Sequence, residues 1–72
     1  MGSDYIDILV SACEAHGYTE EESMIIGIMA GCEQSHEAFG TIEKGFLTAA
    51  KFVNESSSAI EAIKKMSDII LK

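Results

Sequence analysis

The chain has 72 residues, with twelve Asp and Glu against five Lys and no Arg, a net charge of −7, and 47% apolar residues. That length makes one domain, 1–72, with a thin core, because so short a chain buries only about 60% of its unfolded surface. The acidity repels phosphate backbones and anionic lipid surfaces, which excludes nucleic acid and membranes as expected partners, and the apolar content excludes a disordered tail.

The first predicted helix runs over 4–16. Asp4 can cap it, and Tyr5, Ile8, Leu9, Ala12 and Cys13 recur at helical spacing. Gly17 is a natural left-handed stop, with Tyr18 placed to pack back on the helix. Thr19-Glu20-Glu21-Glu22 then reads as a capping box, and its acids suit the positive end of the helix dipole. The second predicted helix runs over 20–39 and ends at Gly40. Thr41 caps a third over 42–53, although Gly40 and Gly45 leave open whether the second and third helices are continuous. Asn54 to Ser58 is a linker, and Ser58-Ala59-Ile60-Glu61 is a second capping box opening a helix over 59–71. Lys64, Lys65 and Lys72 lie in its later part, where positive charge suits the dipole.

The expected fold is all-α, a compact bundle of three or four short helices completed, on one reading, by oligomerisation. Its expected core is Ile8, Leu9, Ile25, Ile28, Met29, Phe39, Phe46, Val53, Ile60, Ile63, Met66 and Ile70. Tyr5, Ile6, Ile8, Leu9 and Val10 cover most of the first helix's circumference. That is more apolar surface than one seam needs, as in a chain that buries a second face against a partner.

The second helix carries Ser23, Gly27, Gly31 and Ser35 at every fourth position. Residues four apart stack on one face, so these four make a flat track, with Ile25, Ile28, Met29 and Cys32 beside it. An interior glycine costs a helix about 1 kcal/mol relative to alanine, which close approach of another helix backbone can offset. The track is therefore an interface. Its occupant is a second copy, another protein or another helix of the same chain, and a simple bend at Gly27 or Gly31 is the alternative. Ser23, Met24, Gly27, Ile28, Gly31 and Ser35 are the candidate interface residues, Met24 being suited to an adaptable groove.

Cys13-x-x-His16 and Cys32-x-x-x-His36 together offer a Cys₂His₂ zinc set. In a simple hairpin the two pairs are displaced by roughly 14 Å along the axis, at about 1.5 Å per residue, so a kink or an intermolecular site would be needed. Glu33-x-x-His36 matches half of a di-iron helical-bundle pattern, which Glu14 or Glu43 of a dimer could extend. The zinc pairs stand too far apart along a simple hairpin and the di-iron pattern is only half present, so no metal or cofactor is expected. Nucleophilic catalysis lacks an orienting third group, and no phosphate-binding glycine loop is present; no enzyme activity is expected.

No signal peptide or membrane span is expected, because the longest nearly apolar run, Met24 to Cys32, is nine residues. Met1-Gly2 opens like a myristoylation site, but Ile6 stands where Ser or Thr is required. The two cysteines are expected as free thiols in a cytoplasmic protein. In size, acidity and helical character the chain resembles the small co-chaperones of type III secretion subunits and small phage inhibitors of host proteins. No motif carries that likeness. The expected function is a small acidic interaction module of adaptor, chaperone or inhibitor type. A metal-binding helical protein is the alternative.

Overall fold

The computed structural model describes residues 4–71 and is all-helical. Five helices follow one another among the described residues: α1 (Asp4–Ala15), α2 (Glu20–Gly31), α3 (Glu33–Phe39), α4 (Ile42–Glu55) and α5 (Ala59–Ile70). The positions of Met1, Gly2, Ser3 and Lys72, and with them the myristoylation pattern and the dipole role of Lys72, lie outside the described residues.

Local chemistry accounts for most helix ends. Gly17 closes α1 at φ +75°. Its amide donates to the carbonyl of Glu14 at 3.0 Å and that of Tyr18 to the carbonyl of Cys13 at 3.0 Å, the paired bonds of a Schellman end. At the start of α2 the Thr19 hydroxyl accepts from the Glu22 amide at 3.1 Å, and the Glu22 carboxylate accepts from the Thr19 amide at 2.8 Å. Gly40 ends α3 at φ +91°, and the Thr41 hydroxyl accepts from the Lys44 amide at 3.0 Å to start α4.

Three local expectations need correcting. Asp4 lies in the first turn of α1, so the cap of that helix falls outside the described residues. At α5 only half of the second box forms: the Ser58 hydroxyl accepts from the Glu61 amide, but the Glu61 carboxylate takes the amide and hydroxyl of Ser57, both at 2.7 Å. Lys65 does not lie in the last turn of its own helix. It reaches the carbonyl of Glu55 at 3.3 Å, placing its charge at the negative end of α4, which runs two residues past the expected Val53.

The larger correction is the second helix, which is two helices. Cys32 is extended at φ −77° and ψ 166°, ending α2 and starting α3. A straight helix over 20–39 would be about 30 Å long, as long as the whole molecule at 31 Å, and would carry Phe39 away from the core. Breaking the chain after Gly31 lets α3 fold back on α4 and α5, burying Ser35 and packing Phe39 against the core.

Helix α4 is the hub, touching each of the other four helices. It can do so because Gly45, Ala49 and Ala50 present almost no bulk to their neighbours, alongside Phe46 and Val53. A β-carbon on Gly45 would lie 2.7 Å from both the Ala30 carbonyl oxygen and the Ser35 hydroxyl oxygen. That contact brings three helices together.

The core is built from Leu9, Ala12, Cys13, Ile26, Ala30, Phe46, Ala49, Ala50, Val53, Ala62 and Met66. Of the expected core, Leu9, Phe46, Val53 and Met66 are buried, and Met29, Phe39, Ile63 and Ile70 pack against them half-buried. Ile8, Ile25, Ile28 and Ile60 are exposed, at 48, 46, 65 and 69%. The reason is size. The tight contacts are made by alanines, which bring helices close enough that the bulky residues on the neighbouring faces are left outside.

Candidate functional site

Helix α1 packs mainly on α4 and touches α2 only lightly. The two helices therefore splay apart and leave between them an open groove of about 700 Å³. Ile6, Leu9, Val10 and Cys13 line it from α1, Ser23, Met24, Gly27 and Ile28 from α2, and Phe46 of α4 closes the floor. The walls are apolar yet lie open to water: Ile6 is 39% exposed, Val10 43%, Met24 58% and Ile28 65%. Phe46 is held in place from the side by Tyr5, their ring centroids 5.4 Å apart.

The small-residue track is divided by the break at Cys32. Ser23 and Gly27 line the groove with Met24 and Ile28. A β-carbon on Gly27 would meet nothing within 4 Å, so no neighbour in this chain requires a glycine there. Gly31 is different: its β-carbon would lie 3.3 Å from the Phe46 ring, an internal contact. Ser35 is fully buried on α3, its hydroxyl without a partner. Two of the four positions face the groove, and the other two belong to the fold.

The polar groups of the groove gather at its loop end. Cys13 is fully buried, and burial pushes its thiol up; Ser23 beside it acts in the opposite sense by less, while Glu14 and Glu22 add to the rise. The thiol stays protonated at neutral pH and behaves as a small apolar floor residue. Tyr18 lines the same end, its hydroxyl buried without a partner and pushed up mainly by that burial. Glu14 and Glu20, one on either side of the Gly17 turn, form the rim there.

The zinc set is not assembled. Cys13 lies in the groove floor. His16 is exposed just beyond α1, its Nε2 hydrogen-bonded to Asn54 Oδ1 at 3.1 Å and its ring 5.9 Å from that of Tyr18. Cys32, Glu33 and His36 border a second hollow at the α2–α3 junction, where the Cys32 thiol donates to the Met29 carbonyl at 3.1 Å. Among the described residues no three His, Cys, Asp or Glu side chains converge to hold a metal ion.

Sequence reasoning missed Phe46 as the floor and Glu14 and Glu20 as the rim. A signal for the rim was present. The first 43 residues hold nine acids and no Lys or Arg, whereas residues 44–72 hold all five Lys and three acids. The groove therefore lies wholly in the acidic part of the chain, apart from Phe46.

No protein-family model, curated protein or solved structure matches this chain. Among the described residues no helix is long and apolar enough to cross a membrane.

Proposed function

We propose that this chain is a protein–protein interaction module, of adaptor, chaperone or inhibitor type, that receives an apolar helix in the groove between α1 and α2. The observation that carries this reading is the exposed apolar wall of that groove together with Gly27 on its α2 side. Full burial of one such side chain contributes about 1.5–3 kcal/mol, and Ile6, Val10, Met24 and Ile28 stand partly exposed on one surface. Gly27 weakens α2 without relieving any contact inside the chain. A helix crossing there recovers that loss through backbone approach.

The test is a native mass spectrum of the untagged chain mixed with an uncharged amphipathic helical peptide. The reading expects a one-to-one complex that Gly27→Leu and Ile28→Ser each abolish, while Ile60→Ser on α5 leaves it intact. A complex that survives both groove variants would overturn it. So would the absence of any complex, either with peptide or between copies.

A further inference from the structure

Resting on that reading, we infer that the groove's occupant is a basic amphipathic helix of a different protein, one whose apolar stripe is flanked by Lys or Arg at the end that meets the α1–α2 loop. Three observations point there. The rim of the groove carries Glu14 and Glu20 and no cation. Helices α1 and α2 and their connecting turn add Asp4, Asp7, Glu21 and Glu22 and contain no Lys or Arg. All the lysines belong to residues 44–72, so nothing on either wall neutralises the rim.

Helix stability accounts for five of the six acids, Asp4 and Asp7 in the first turn of α1 and Glu20, Glu21 and Glu22 in that of α2, but not for Glu14 at the rim. Glu14 sits in the last turn of α1, at the end where an acid is unfavourable and a base favourable. A second copy docked symmetrically is disfavoured by the same charges. A two-fold interface pairs the same patch of both copies, and that patch carries Glu14 and Glu20 with no Lys or Arg. Opposite charge at the rim would instead hasten encounter, fix the direction in which the helix lies, and reject acidic competitors.

The experiment uses the full chain and two labelled helical peptides with one shared apolar stripe, flanked at one end by lysines or by glutamates. Affinity is read by fluorescence anisotropy and location by amide hydrogen exchange. The lysine peptide should bind about tenfold tighter at low salt, and the difference should largely vanish at about 0.5 M salt. Protection should fall on 5–13 and 23–28. The double variant Glu14→Gln/Glu20→Gln should remove most of the preference. Glu33→Gln/Glu37→Gln, which changes net charge equally on α3, should leave it in place and so separates the rim from the overall charge. Circular dichroism checks that both remain folded.

Equal binding of the two peptides in the groove would overturn the basic-partner inference and leave the interaction reading standing. A preference that survives Glu14→Gln/Glu20→Gln would overturn it as well. Homodimers with the groove protected would make a second copy the occupant and overturn the inference. If neither peptide binds and the groove stays unprotected, the interaction reading fails along with it.

Discussion

The α1–α2 wall and the α4–α5 core obey different packing rules within one small chain. Around α4, the small residues Gly45, Ala49, Ala50 and Ala62 draw helices together, and Val53 and Met66 fill what remains, each fully buried. Between α1 and α2 the residues are larger, the helices stand apart, and Ile6, Val10, Met24 and Ile28 keep a third or more of their surface in water. The glycines make the contrast concrete: a β-carbon at Gly45 would collide with a backbone carbonyl, and one at Gly27 would meet nothing. The facing surfaces of α4 and α5 are closed on each other, with Ile60 left outside them at 69% exposed, whereas the facing walls of α1 and α2 stand open.

Breaking the closed region should give the largest effects. Met66→Ala removes a fully buried side chain and should destabilise by about 2–5 kcal/mol. A core this small supplies only about 3–5 kcal/mol in all, so urea denaturation should find much of the variant unfolded before denaturant is added. A loss under about 1 kcal/mol would mean that the site collapses around the gap and is not tightly packed. Gly45→Ala comes next. Alanine is favoured in a helix by about 1 kcal/mol, but its β-carbon would sit 2.7 Å from the Ala30 carbonyl oxygen and the Ser35 hydroxyl oxygen, so the last turn of α2 and α3 would have to shift away from α4. Overpacking of about 1–3 kcal/mol should outweigh the gain. A thermal melt that rises would show that the three helices can part at no cost.

How much of this was legible in the sequence follows from the range of the forces. Thr19, Glu22, Thr41, Gly17 and Gly40 act on amides and carbonyls a few residues away, so their roles can be read from spacing alone. The break at Cys32 cannot. It serves contacts of α3 with α4 and α5, and no proline marks it. Helix α2 is apolar on nearly every side, with Met24, Ile25, Ile26, Ile28 and Met29 in succession, so periodicity gives no direction to its core face. Ile26 and Ala30 are buried, and Ile25 and Ile28 are not. The candidate site was half legible for the same reason. Ser23 and Gly27 face the groove as the four-residue spacing suggests, while Gly31 and Ser35 share that spacing but are turned into the fold by the break between them. Phe46 reads as core from the sequence, and only the splaying of α1 from α2 shows that it also floors a groove.

Sharpening the open region should give a gain instead of a loss. Gly27→Ala adds a methyl group to space that nothing occupies and removes a weak helix former. It should stabilise the chain by about 1 kcal/mol, raising the melting temperature by about 4–8 °C in a domain of this size. The same substitution at Gly45 should lower it. If Gly27→Ala destabilises, α1 closes on α2 more tightly than the open groove allows, and the contrast between the two regions is lost. If it stabilises while weakening peptide capture, the glycine is retained at the expense of the fold.

The smallest effect is expected where a charge holds only a helix start. The Glu61 carboxylate accepts from both the amide and the hydroxyl of Ser57, bonds that exist for the charged form and hold its pKa below the ordinary 4.5. A group whose folded pKa is depressed stabilises the protein above its unfolded pKa, and that contribution is lost as pH falls through the folded value. Glu61→Gln should therefore melt slightly below the parent at about pH 7, with the gap closing at an acid pH below the carboxylate's depressed folded pKa, where the parent too is protonated. A gap of the same size at both pH values would assign the effect to the amide's hydrogen-bonding geometry and not to charge. In the α1–α2 region, by contrast, Glu14→Gln should leave the melting temperature unchanged or raise it, because Glu14 sits at the negative end of its helix. One acid thus serves the closed region through its charge, and the other stands at the rim of the open one with no benefit to its own helix.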